Sequence, residues 1–112
     1  MVNQETVIEI NLVNLKKNLA FIRSKVKKKT LIMAVVKASA YGSDSIIISK
    51  KLEKEKVNYL AVAYTSEGIE LRNEGIKTPI LVLHPQINDF NKIIEYDLEP
   101  SIYSFRILKE FL

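Results

Sequence analysis

Four short apolar segments recur along the chain, and their spacing constrains the fold more than any other feature. They begin near residues 31, 59, 79 and 98, at intervals of 28, 20 and 19 residues. The first, Leu31–Val36, is continuously apolar, which is typical of a strand buried on both faces of a parallel sheet. Each interval has room for one strand and one helix, and such alternation predicts an α/β fold with right-handed crossovers. The pattern alone does not distinguish two arrangements of the parallel sheet, an open doubly wound sheet and a closed barrel.

Helices are predicted from apolar spacing and from capping residues. Apolar residues at positions 12, 15, 19, 22 and 26 would share one face of a helix over about 12–27, with Asn11 as its N-cap. A second helix is expected over about 44–55, capped by Ser43 or Asp44, and a third from Thr65 or Ser66 to Gly75. The remaining predicted elements are a strand over 5–12, helices over 89–96 and 104–112, and strands over 59–64, 80–83 and 98–102.

Composition narrows the class of protein. The chain has 112 residues, a net charge of +4 and no cysteine, which fits one small domain in a reducing cytoplasm. No apolar run approaches the ~20 residues that cross a membrane, and the first ten residues lack the basic cluster of a signal peptide. We therefore expect a cytoplasmic protein with no membrane partner.

A basic run, Lys25 and Lys27 to Lys29, falls where the first predicted helix should end. Cations there offset the partial negative charge of a helix C-terminus. A nucleic-acid patch is the alternative, but no aromatic residue interleaves these lysines and no binding motif surrounds them. We expect a solvated basic surface and no nucleic-acid partner.

The end of the chain indicates a fragment. Residues Arg106–Leu112 form an amphipathic segment that stops without a cap, a glycine or a polar tail. A complete (β/α)₈ barrel needs roughly 250 residues. We therefore expect residues 1–112 to be the N-terminal part, about the first half, of a larger barrel domain.

Lys37 is the main candidate for chemistry. It directly follows a buried apolar strand, and in parallel α/β folds functional sites lie at that end of the strands. An apolar surround favours the neutral amine, which Schiff-base chemistry with a carbonyl requires. The alternative is a lysine that caps the strand and extends to solvent. Tyr41 and Gly42 follow in a loop before a helix N-terminus, where free backbone N–H groups suit a phosphate.

The segment Val35–Asp44, which reads VVKASAYGSD, resembles the cofactor-lysine motif of alanine racemases, usually VVKANAYGHG. It departs at Ser39, Ser43 and Asp44, which puts the phosphate contacts in doubt. Further similarity runs through IEINL at 8–12, LAVA at 60–63, Glu67 to Arg72, Gly75-Ile76 and PILVL at 79–83. The ending LEPSIYSF at 98–105 is most similar to racemase domains fused behind a cell-wall-precursor ligase. The resemblance implies an α/β fold that is the first half of a (β/α)₈ TIM barrel, with parallel strands alternating with helices.

The resemblance also implies roles. Lys37 would form the Schiff base with pyridoxal 5′-phosphate and serve as one of two catalytic bases, and Tyr41 would hydrogen-bond the cofactor phosphate. The reaction would interconvert L- and D-alanine for peptidoglycan synthesis. The second base, a tyrosine from the partner subunit of a homodimer, would lie outside the 112 residues. Alternatives are a serine or broad-specificity racemase, a decarboxylase, or a non-catalytic protein that binds pyridoxal phosphate.

Other candidates have simpler interpretations. His84, the one histidine, follows a strand without metal-binding partners and is interpreted as a loop or packing residue. Glu67, Glu70 and Arg72 suggest a solvated helix face with a local ion pair. The remaining tyrosines, at positions 59, 64, 96 and 103, are interpreted as packing residues.

The role of Tyr41 can be tested by Tyr41→Phe in the intact protein. Loss of one hydrogen bond to the cofactor phosphate should weaken cofactor affinity by about 1–3 kcal/mol if the phosphate is left unsatisfied. The measurement is a titration of the apoprotein with pyridoxal phosphate. An unchanged affinity would mean that Tyr41 is only structural.

Overall fold

The computed structural model describes residues 11–37 and 44–112. Five α-helices and four strands alternate along these residues, with one short 3₁₀ turn, Ile87–Asp89. The helices are α1 Leu12–Lys25, α2 Ser45–Lys54, α3 Thr65–Asn73, α4 Phe90–Glu95 and α5 Phe105–Phe111. The strands are β1 Met33–Val35, β2 Tyr59–Val62, β3 Ile80–Val82 and β4 Glu99–Pro100.

The four strands form one parallel sheet in the order β1-β2-β3-β4. This confirms the predicted βα alternation, although each strand is shorter than its apolar run. Ladder hydrogen bonds continue past the strand ends, from Val36 N–H to the Ala61 carbonyl and from Leu83 N–H to the Val62 carbonyl, both at 2.8 Å. The predicted strand over 5–12 covers residues 5–10, which lie outside the described residues, and Asn11 and Leu12, which cap and begin α1.

The helices cover one face of the sheet. Aliphatic side chains of β2 and β3 that point to this face are almost fully buried, and they pack with residues of the helices and turns. The most deeply buried aliphatic side chains of this core, from the strands, helices and turns together, are Leu60, Val62, Ile80, Val82, Leu71, Ile76 and Ile93. Met33 and Val35 of β1 are 44% and 41% exposed, so the prediction of a first strand buried on both faces is wrong for the described residues. The reason is that no described element covers the other side of β1.

Local capping fixes where several helices begin. Asn14 N–H donates to Asn11 Oδ1 at 2.9 Å, and Ile46 N–H donates to Asp44 Oδ1 at 2.9 Å, as the sequence predicts. The third helix is different, because its N-cap is Tyr64 rather than Thr65 or Ser66. There the carboxylate of Glu67 accepts hydrogen bonds from Ala63 N–H at 2.9 Å and Tyr64 N–H at 2.8 Å. A side chain of the first helical turn thus binds the backbone just before the helix.

Three helices return to the sheet through the same type of turn. The residue after each C-cap has a positive φ: 62° at Lys56, 90° at Gly75 and 53° at Asp97. The next residue, Val57, Ile76 or Leu98, is buried, and its N–H donates back to a carbonyl five residues earlier. This is the Schellman arrangement, in which a left-handed residue and a hydrophobic contact end a helix.

Arg72 ties two of these turns together. Its guanidinium donates to the carbonyls of Ile76 at 2.8 Å and Thr78 at 2.9 Å, and to those of Tyr96 and Asp97 at 3.0 Å each. The interpretation of Arg72 as part of a solvated helix face is therefore wrong. The sequence could not reveal this, because the acceptors are backbone carbonyls of two separate turns.

Glu53 holds the turn before β3 from the opposite side. Its Oε2 accepts from Lys77 N–H at 2.7 Å, Thr78 N–H at 2.8 Å and Thr78 Oγ1 at 2.9 Å. Burial alone would raise the pKa of this carboxyl, but these hydrogen bonds and the charge of Arg72 together hold the pKa below its ordinary value of 4.5. The ionised carboxylate is thus the form that stabilises the fold.

This lowered pKa predicts a pH-dependent contribution to stability. The contribution of Glu53 should be fully present above about pH 5 and should be lost as the pH falls through the folded-state pKa. In Glu53→Gln of the intact protein, the free energy of unfolding at pH 7 should fall by about 1–3 kcal/mol. The difference from wild type should shrink at acid pH in urea titrations. Glu110→Gln, which removes an exposed carboxylate, is the control, and an equal effect of both variants would contradict the assignment.

Candidate active site

The carboxyl ends of the parallel strands meet at one edge of the sheet, and Lys37 lies there. It follows Val36, whose N–H extends the ladder from β1 to β2, and it is half-buried. The strand ends at Val35, and Lys37 already has helical backbone geometry, so it stands at the junction between β1 and the segment that follows. The predicted position of Lys37 at a strand end is therefore confirmed.

One row of side chains crosses the face of the sheet that Met33 and Val35 share. Val35 pairs with Ala61, Ala61 with Leu81, and Leu81 with Glu99, so the row is apolar on β1 to β3 and ends in a carboxylate on β4. Glu99 Oε1 accepts a hydrogen bond from Tyr59 Oη at 3.1 Å. The hydrogen bond to the Glu99 carboxylate, the charge of that carboxylate and burial together raise the pKa of Tyr59. Glu99 lies on β4, the strand farthest from β1 and Lys37 in the sheet order.

The aromatic rings of Tyr64 and His84 lie at the same edge as Lys37, and the sequence did not predict their contact. Tyr64 follows β2 and His84 follows β3, and their ring centroids are 6.0 Å apart with an interplanar angle of 43°. His84 N–H donates to the Ala63 carbonyl at 2.8 Å, which fixes the spacing of the two loops. The available signal was that each residue directly follows one of two consecutive strands. Across residues 11–37 and 44–112, no cluster of three or more acidic or histidine side chains could hold a metal ion.

The start of α2 does not offer free N–H groups to an anion as predicted. The N–H groups of Ile46 and Ile47 both donate to Asp44 Oδ1, at 2.9 and 3.2 Å. A phosphate at this position would lose those two donors and would meet the negative charge of the carboxylate. Tyr41, the predicted phosphate ligand, lies outside the described residues, as do Ser39 and Ser43.

The described residues fit the aldehyde end of pyridoxal phosphate better than its phosphate end. Lys37 is half-buried and brings a primary amine, the nucleophile that an aldehyde requires, to this edge of the sheet. Val35 and the half-buried Leu83 supply apolar surface at the same edge for an aromatic ring.

A family model for the N-terminal domain of alanine racemase matches residues 10–112. The chain belongs to this family. It is 40% identical to alanine racemase 1 of Caldanaerobacter subterraneus over 94% of its length, and 46% identical to the alanine racemase of Clostridium kluyveri over 87%. It covers only 27% and 25% of those two proteins, so it spans less than a third of the relatives it matches.

Solved structures give the same result. The alanine racemase of Clostridium difficile 630 superposes with a TM-score of 0.88 at 43% identity, covering 91% of this chain and 27% of that one. The enzyme from Enterococcus faecalis gives 0.85 at 28% identity, with 91% and 28% coverage. The predicted fold class, the first part of an α/β barrel, is therefore confirmed. Within the described residues, no helix is both long and apolar enough to cross a membrane. The expected cytoplasmic location, the fusion to a ligase and the division of the parent into domains stay predictions.

Proposed function

We propose that the protein containing this chain is a pyridoxal-phosphate-dependent alanine racemase and that Lys37 is its cofactor-binding lysine. The observation that carries the proposal is a half-buried amine at the carboxyl end of β1, in a chain of the alanine racemase N-terminal domain family. The product, D-alanine, would serve peptidoglycan synthesis. We further propose that residues 1–112 are the N-terminal part of the barrel domain.

Lys37 would have two tasks. Its Nζ would hold the cofactor covalently through the aldehyde carbon, and once released from that bond it would move a proton at one face of the substrate α-carbon. Bound pyridoxal phosphate supplies the electron sink that makes the α-hydrogen acidic enough to be removed.

Racemisation also needs a second proton donor on the opposite face. By the resemblance to the family, this group is a tyrosine of a partner subunit, so we propose that the intact protein is a homodimer. Tyr41 is proposed as a ligand of the cofactor phosphate. The remaining phosphate ligands are expected outside residues 11–37 and 44–112.

Alanine is the proposed substrate because the chain belongs to the alanine racemase N-terminal domain family. One of the similar structures, from Clostridium difficile 630, is a complex with cycloserine, and one from Bacillus anthracis, with a TM-score of 0.83 and 33% identity, has L-Ala-P bound. Both ligands are small compounds related to alanine. The second candidate is a racemase for serine or for several amino acids, and comparing turnover of L-alanine and L-serine separates the two.

Covalent capture tests the role of Lys37. Borohydride reduction of the intact protein with pyridoxal phosphate should fix the label on Lys37, as read by peptide mapping. Lys37→Ala should lose the label and lower racemase turnover by at least the ~10²–10⁴-fold typical of a lost acid–base group. Lys50→Ala, which removes an exposed lysine of α2, is the matched control. It should keep the label on Lys37 and the turnover of the wild-type protein. Label on any other lysine in the wild-type protein would refute the assignment.

The 112 residues alone should not racemise alanine. They contain Lys37 without its opposing base, so turnover should lie ~10²–10⁴-fold below that of the intact protein. In addition, β1 and β4 are the outer strands of the sheet, and unpaired edges invite association with another chain. A coupled D-alanine assay with added cofactor measures the first effect, and sedimentation velocity measures the second. Turnover near that of the intact protein would show that the second base lies within these residues.

A further inference from the structure

A concave, strongly basic surface lies at the end of the sheet opposite Lys37. It is next to the N-terminal ends of β1 and β2 and encloses about 650 Å³. We name it the basic cleft. Its five cationic residues are Arg23, Lys27, Lys28, Lys29 and Lys56, and no acidic residue lines it.

The end of α1 does not account for most of this charge. The helix ends at Lys25, so Arg23 and Lys25 are the cations of its last turn. The favourable interaction with a helix C-terminus falls off within that turn. Lys27, Lys28 and Lys29 come later, in a turn closed by the 2.9 Å hydrogen bond from Thr30 N–H to the Lys27 carbonyl. The interaction of cations with the C-terminus of α1 therefore does not explain why Lys27, Lys28 and Lys29 lie here.

Lys56 provides an independent observation. It has a φ of 62°, a conformation that costs free energy for a residue with a Cβ. The equivalent turn after α3 uses Gly75, which has no such cost. The third turn of this type has Asp97, so a side chain is accommodated in such a turn, and at position 56 that side chain adds a positive charge to the cleft.

The charge of the cleft is not neutralised from within the described part of the chain. Glu55, the nearest acid in sequence to Lys56, is paired with Lys51 at 3.1 Å and Lys16 at 3.8 Å. Its backbone carbonyl accepts from Arg23 Nη2 at 2.7 Å, which orients the guanidinium. None of the ion pairs among the described residues involves a lysine of the cleft.

We propose that the basic cleft binds a small polyanion with two or more linked phosphoryl groups. Several ammonium groups and one guanidinium can donate charge-assisted hydrogen bonds to phosphoryl oxygens, which are stronger than neutral ones. The size of the cleft lies in the range of small-molecule sites, roughly 300–1,000 Å³. No aromatic side chain lines it, so the base stacking that favours single-stranded nucleic acid is missing there.

The test is a calorimetric titration of the intact protein with inorganic tripolyphosphate at low and high salt. We expect saturable binding with one site per chain, weakened several-fold as salt screens the charges. ATP should bind about as tightly as tripolyphosphate, and AMP much more weakly, because the linked phosphoryl groups carry the interaction. Lack of saturation, equal binding of AMP and ATP, or tighter binding of a single-stranded oligonucleotide would each overturn the proposal.

Two variants separate the cleft from overall charge and from folding. Lys27→Gln/Lys29→Gln should weaken tripolyphosphate binding about tenfold. Lys17→Gln/Lys109→Gln removes the same net charge elsewhere and should change it less than about twofold. Lys56→Gly keeps the left-handed turn, so it should weaken binding several-fold without lowering the thermal midpoint. Equal losses in both double variants, or full affinity in Lys56→Gly, would overturn the assigned site.

Discussion

The turns that lead from each helix back to the sheet are the constraint on which the rest of the structure depends. In a parallel sheet every strand must start at the same edge, so each helix has to end and reverse within a few residues. Left-handed residues at Lys56, Gly75 and Asp97 make these reversals. Arg72 and Glu53 then fix two of the turns through backbone hydrogen bonds. These turns set where β2, β3 and β4 begin, and the register of β1 against β2 then places Lys37 at the common edge.

The elements that the sequence predicts well are those set by neighbouring residues. Asn11, Asp44 and Ser104 each cap a helix by accepting an N–H within three residues, so the capping partner is visible in the local sequence. Gly75 ends α3 for an equally local reason, its positive φ. The apolar runs likewise predict β2 and β3, because their side chains need only a helix layer above them to become buried.

What the sequence does not predict depends on contacts between distant segments. Arg72 reaches carbonyls 24 and 25 residues away, and Glu53 reaches Thr78 at the same separation. The exposure of Met33 depends on what lies against β1 rather than on the strand itself. For the candidate site, Lys37 was predictable because a lysine directly after an apolar run is a local signal. The contact between Tyr64 and His84 was not, since it requires the register of β2 against β3.

Lysines lie beyond both ends of β1, in different settings. Lys37 is a single half-buried residue, whereas Lys27 to Lys29 are exposed. From Ile32, at the edge of the cleft, to Lys37 the chain advances five residues, or roughly 16 Å along an extended strand. This exceeds the Debye length of ≈ 8 Å at physiological ionic strength, so an anion in the cleft would change the field at Lys37 little through solvent. Any coupling between the two ends would have to pass through the backbone of β1, whose hydrogen bonds to β2 hold both ends in register.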